Sequence, residues 1–145
     1  MIPVRFALAL LLVGMVAPPT RGQTSTARDA RAMPDTIISR VETAFTNGNA
    51  QRLLTPAADR VEVSLFGTRT FYSSAQAYYV LDDFFDRYPP THFTVDDVTE
   101  TGSSCFLRGR FDHRRDERTL QVYVRLTTRN AAWRLQEIRI DADAE

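Results

Sequence analysis

The chain of 145 residues is 43% hydrophobic and 25% charged, and its 18 basic side chains balance its 18 acidic ones. Those proportions support one globular core and exclude a wholly disordered chain. The lack of a basic excess excludes nucleic acid as a partner, because affinity for phosphates rests on such an excess.

Arg5 precedes an apolar run from Phe6 to Val16, the length of a signal-peptide core and well short of the ~20 residues that a membrane-spanning helix requires. Pro18 and Pro19 disfavour cleavage after Ala17, whereas Thr20 and Gly22 put small residues at the two subsites a signal peptidase inspects. Residues 1–22 therefore read as a signal peptide, and the product as exported, periplasmic or extracellular. No cysteine lies directly after the apolar run, where a lipoprotein signal would carry one, so no lipid anchor is marked and the mature chain is expected to have no stable membrane attachment. Cleavage removes Arg5 and Arg21, leaving 16 basic against 18 acidic residues. Residues 23–33, "QTSTARDARAM", are polar and small and read as a flexible leader.

One domain is expected over residues 34–141, with a short tail at 142–145. Pro34-Asp35 opens a helix whose Ile37, Ile38, Val41 and Phe45 share one face, and Asn47-Gly48 stops it. A second short helix runs from Ala50 to Leu54, ahead of Pro56. Val61, Val63 and Leu65 then alternate with Arg60, Glu62 and Ser64, the period of a half-buried strand. Gly67 breaks it, and Arg69 to Tyr72 makes a second strand. Ser73 and Gln76 match a capping box at the start of a helix over 74–88. On that helix Ala77, Val80 or Leu81, Phe84, Phe85 and Tyr88 share a face opposite Asp82, Asp83, Asp86 and Arg87, and Pro89-Pro90 closes it.

Four strands complete the chain, marked by Phe93 and Val95 with Val98 as a further candidate, by Cys105, Leu107, Gly109 and Phe111, by Leu120, Val122, Val124 and Leu126, and by the stretch from Trp133 to Ile140. The apolar parity of the last strand switches between Leu135 and Ile138, which implies a bulge at Gln136-Glu137 and a curved sheet. The short turns "DHRRDER" and "TRNAA" imply an antiparallel meander with helices on one face. The fold class is α+β, in the order α-α-β-β-α-β-β-β-β.

Chemical motifs are sparse. Cys105 is the sole cysteine, so no internal disulfide forms, and its place in an alternating strand points to a buried structural thiol. His113 lies in the charged stretch "FDHRRDERT", expected to be a solvated turn, and His92 follows Pro89-Pro90-Thr91. Two distant histidines give no metal-binding spacing, and no cofactor is expected. The neighbouring carboxylates Asp82-Asp83 and Asp96-Asp97 should point in different directions, so neither makes an acid and base pair. No nucleophile elbow, zinc motif, phosphate loop or dinucleotide fingerprint occurs.

The element order, with "GNAQRLL", "VEVSLFG", "FYSSAQAYYVLDDFF" and the closing "WRLQEIRI", resembles the nuclear transport factor 2-like superfamily. Within it the chain is similar to an exported bacterial family termed domain of unknown function 4783, which carries a similar "YSKAQA...L..FF" segment. The resemblance spans residues 34–141. It implies a cone in which a strongly curved antiparallel sheet wraps the helices, with Ser73, Gln76, Ala77, Leu81, Phe84, Phe85 and Trp133 structural and Tyr72, Tyr78, Tyr88 and His92 at a pocket mouth. In the related ketosteroid isomerases a carboxylate base falls approximately at Ser64, and an oxyanion-stabilising tyrosine lies on the first helix. Serine cannot replace that base near neutral pH, and residues 35–47 contain no tyrosine.

The sequence thus favours a non-catalytic ligand-binding or protein-interaction module with an apolar or aromatic pocket. Its expected partners are a small apolar or aromatic ligand, or a second copy paired through the sheet at Gln121, Tyr123, Arg125 and Thr127. The alternative is an isomerase- or hydrolase-like enzyme using His92, Asp96 or Tyr72 as acid or base. Mass analysis of the exported protein should find a mature chain beginning at Gln23; an intact Met1 overturns the signal-peptide reading.

Overall fold

The computed structural model describes residues 33–143, so the expected signal peptide and nearly all of the leader lie outside the described residues. The elements are α1 (Asp35–Thr46), α2 (Ala50–Leu54), β1 (Ala57–Leu65), β2 (Thr68–Ser73), α3 (Ser74–Arg87), β3 (Pro90–Thr101), β4 (Ser104–His113), β5 (Leu120–Arg129) and β6 (Ala132–Ala142). Their order is the one expected. Met33, placed by sequence in the leader, is instead buried in the core, and its N–H donates to Glu100 Oε1 at 3.0 Å. Ala142, placed in the tail, is the last residue of β6 and pairs with Leu120.

Local signals set the helix ends. Asn49 N–H donates to the Ala44 carbonyl at 2.8 Å and Gly48 N–H to that of Phe45 at 3.2 Å, which satisfies the free carbonyls at the end of α1. Gly48 holds φ +61°, and a Cβ there would lie 3.2 Å from Pro90. Asn49 then caps α2, its side chain accepting from Arg52 N–H at 2.8 Å. The capping box of α3 forms: Ser73 Oγ accepts from Gln76 N–H at 3.2 Å, and Gln76 Oε1 accepts from Ser73 N–H at 3.1 Å.

The strands form one sheet in the order β2-β1-β6-β5-β4-β3. β3 to β6 make the expected meander, but β6 also pairs with β1, and that junction is parallel. The sheet is therefore mixed. Turn lengths report only sequential neighbours, whereas here the apolar rows Val63-Leu65 and Ile138-Ile140 meet across the sheet in register. The bulge falls where the parity switch put it: Arg125 pairs with Glu137 and Leu126 with Leu135, leaving Gln136 as the extra residue. A second bulge leaves Asp96 unpaired between Val95–Gly109 and Asp97–Arg108. Each bends its strand and adds twist, so the sheet curves about the helices.

Phe45 sits at the centre of the core, fully buried. Its ring stacks on Phe93 at 4.6 Å and meets Phe85 and Phe111 edge-on at 5.8 and 6.1 Å. Phe84 adds a contact to Phe111 at 5.6 Å. Gly109 makes room for this stack, because a Cβ there would lie 2.7 Å from the Phe93 ring and 2.6 Å from the Thr94 carbonyl oxygen. At the other extreme, Asn130 and Ala131 form the two-residue β5–β6 turn with φ of 52° and 61°. Such turns favour glycine at the second position, which alanine occupies here.

Two substitutions separate these effects in chemical denaturation. Gly109→Ala should cost about 1–3 kcal/mol, since the ring or the β3 backbone must move. Ala131→Gly should leave stability unchanged or raise it by up to about 1 kcal/mol, because relief of the left-handed strain outweighs the added freedom of the unfolded chain.

Candidate functional site

The three residues offered as acid or base do not come together. Tyr72 lies on β2 at one edge of the sheet, and His92 and Asp96 lie on β3 at the other. Tyr72 is partly buried against the core. His92 is exposed and its Nε2 stands 2.8 Å from Thr94 Oγ1. Asp96 accepts from Arg110 Nε through both carboxylate oxygens, at 3.0 and 3.2 Å. The expectation that Asp96 and Asp97 point apart is corrected by the β3 bulge. Asp96 reaches Arg110 on the outer face, away from the helices, and Asp97 lines a recess on that same face with Arg108.

The residues assigned to the core are where the helical spacing put them. Ala77, Leu81, Phe84 and Phe85 are buried, and Trp133, on β6, is partly buried against the core. Among the expected pocket-mouth tyrosines, Tyr78 packs edge-on to Tyr79 at 5.2 Å, and Tyr88 stacks on Phe84 at 5.0 Å at the end of α3. They lie ten residues apart along the chain, whereas His92, the fourth residue of that set, lines an open recess between α1 and β3 with Thr43, Thr46 and Asn47. The space between helices and sheet is filled by Phe45, Phe84, Phe85, Phe93 and Phe111.

His113 corrects the sequence reading most sharply. Expected in a solvated turn, it is the last residue of β4, with a side chain 0% exposed. The alternation that buries Cys105, Leu107, Gly109 and Phe111 continues to His113. That row was the available signal, and the charges that follow obscured it.

The outer face of the sheet is the more structured surface. Glu62, expected on a solvated row, is only 6% exposed and lies 2.7 Å from Arg69 Nε on the neighbouring strand. Ser64 is likewise buried on this row, between Arg69 of β2 and Arg139 of β6, so the position that resemblance gave to a base points away from the helices. Beyond them, Glu137 accepts from Arg125 Nε at 3.0 Å, and the Arg139 guanidinium lies over the Tyr123 ring at 4.1 Å. Registry puts Arg125 opposite Phe106 and Tyr123 opposite Arg108. These side chains, with Asp97, surround a recess of about 340 Å³. Phe106 is 44% exposed there. Arg108 makes no ion pair among the described residues, in contrast to Arg125 and Arg139. The same residues hold no cluster of three or more metal-ligating side chains, and no helix among them is long and apolar enough to cross a membrane.

The profile of the family described as Domain of unknown function (DUF4783) matches residues 38–141, well over half of the chain. The chain belongs to the DUF4783 family. A crystallised DUF4783 family protein from Bacteroides ovatus is similar at 23% identity and a TM-score of 0.70, over 79% of this chain and 99% of that one. One from Bacteroides fragilis is similar at 20% identity and a TM-score of 0.69, over 77% and 100%. An NTF2-like protein of unknown function from Shewanella baltica shares 10% identity and a TM-score of 0.59, over 82% and 95%. These likenesses establish the nuclear transport factor 2-like fold. No curated protein matches the chain.

The single thiol of this DUF4783 domain is unsuited to chemistry. Cys105 is fully buried, and burial, with the nearby Glu100 carboxylate adding to it, pushes the thiol up to about 11. At neutral pH the nucleophilic thiolate is a negligible fraction. An alkylating reagent added to the folded protein at neutral pH should leave Cys105 unmodified, and adding denaturant should make it react. Rapid labelling of the native protein overturns this assignment.

Proposed function

We propose that this DUF4783 domain is a non-catalytic interaction module that binds through the outer face of its sheet, and that a second copy of the chain is its partner there. The observation that carries the reading is the half-exposed Phe106 beside Tyr123, set among side chains of both signs on a face that no helix among the described residues covers. An exposed aromatic rimmed by arginine is the composition of an interface centre, where Tyr, Phe and Arg concentrate.

Both charge signs are present within a few residues: Arg125 with Glu137, Arg139 with Asp141, and Arg110 with Asp96. Two copies related by a two-fold axis present the same patch to each other, so such a surface can complement itself without opposing like charges. The patch includes Gln121, Tyr123 and Arg125, and Thr127 continues its row along β5. The filled interior supports a surface partner over a ligand enclosed between helices and sheet.

Sedimentation analysis at high micromolar concentration should find a dimer. Phe106→Asp should shift it to monomer, with affinity reduced at least about tenfold for the ~1.4 kcal/mol or more that an anchor residue contributes. Its melting temperature should change little, because the side chain is half-exposed. A wild-type protein that remains monomeric throughout overturns the proposal.

A further inference from the structure

Strand registry lays the outer face out as two adjacent rows that run across the sheet from β2 to β4. One row holds Phe71, Glu62, Glu137, Arg125 and Phe106. The next holds Arg69, Ser64, Arg139, Tyr123 and Arg108 on the same strands. Phe71 and Phe106, 55% and 44% exposed, therefore stand at the two ends of one row. Four strand spacings, about 19 Å, separate them. Arg108, at the end of the other row, makes no ion pair among the described residues. Its registry partner on β3, Asp97, accepts from Thr99 Oγ1 at 3.1 Å instead.

These rows restrict how two copies can meet, given the reading above that a second copy covers this face. In aligned sheet packing the strands of the two sheets stay within about 30° of each other. A two-fold axis in the interface then runs either along the strands or across them. An axis along β6 sets Phe71 on the partner's Phe106. It also sets Glu137 and Arg139 each on its own counterpart, and Arg69 on the partner's Arg108, so like charges oppose. Moved to the gap between β6 and β5, the axis sets Phe106 on the partner's Glu62, a carboxylate against the negative face of a ring. Between β5 and β4 it leaves Phe71 uncovered.

We propose that the dimer axis lies across the strands, between the two rows, so that each row of one copy packs on the other row of its partner. Arg139 then meets the partner's Glu137, and Tyr123 meets the partner's Arg125. Arg108 covers the partner's Phe106, and Arg69 covers the partner's Phe71. Each contact occurs twice. No like charges oppose at these positions, and both exposed phenylalanines receive a guanidinium, a favourable partner for a ring face. The cation that has no acid on its own chain finds its place on the second copy. Glu137 and Arg139, two residues apart on β6 and reciprocal across the axis, set the register.

Sedimentation of charge-reversed variants, alone and mixed, tests this register. E137R opposes cations at both of these contacts and R139E opposes anions, so each variant alone should dimerise at least about tenfold more weakly than wild type. Mixed one to one, the two variants carry opposite charges at both contacts and should form a heterodimer, seen by native mass spectrometry. F71D should also weaken the dimer at least about tenfold, with little change in melting temperature because the side chain is more than half exposed. It leaves the Arg125–Glu137 ion pair intact and reads the axis even where E137R disturbs the fold. Wild-type affinity in E137R or F71D, or a mixture without heterodimer, overturns the register while the wild-type dimer still stands. A wild type that stays monomeric removes the register together with the reading on which it rests.

Discussion

The architecture depends on one close approach, the Phe93 ring lying across Gly109. Without a side chain at that point of β4, the ring settles onto the sheet and offers its other face to Phe45 at 4.6 Å. Phe45 belongs to α1, Phe85 to α3, and Phe93 and Phe111 to the two strands beneath them. One aromatic cluster thus joins both long helices to the sheet. Burying a phenylalanine contributes about 1.5–3 kcal/mol, so this cluster is a large share of the stability of a domain without a disulfide.

Filling the interior this way has a consequence for where the molecule can meet others. In a small curved sheet the space under the helices and the opposite face are alternative places to put a site, and phenylalanine packing takes the first. The outer face has its own order. Glu62, Glu137 and Arg125 lie in register across β1, β6 and β5, and Arg69, opposite Ser64 on β2, reaches diagonally to Glu62. Glu62 is buried on this face because the neighbouring strand supplies a cation at 2.7 Å; a carboxylate without one would be costly there.

Much of this was legible in the sequence, and what was legible was local. Helix stops at Asn47-Gly48, the capping box at Ser73 and Gln76, and the extra residue at Gln136 each follow from a few neighbouring side chains and one period. The hidden features depend on residues distant in the chain. The burial of Glu62 needs Arg69 across the hairpin, and the parallel junction needs β1 to meet β6. Asp96 and Asp97 share a face only because β4 forces a bulge into β3. His113 was hidden for a different reason: its strand row ends inside a run of charges, and composition drew attention away from alternation. Tyr72 and His92 were grouped by residue type, and strand order put them on opposite edges.

The parallel seam between β1 and β6 also bears on the route by which the chain folds. Val63 meets Ile138, so an early strand waits for nearly the last one before its inner edge is covered. During synthesis the β1–β2 hairpin and α3 leave the ribosome long before β6 exists, and the interim edge of β1 bears the row Val61, Val63 and Leu65. Contacts of such separation are slow to form because the intervening chain must first be ordered. Completion of this domain is therefore a late, C-terminal event, and a nascent chain stopped short of Ile138 is a molecule with an open sheet edge.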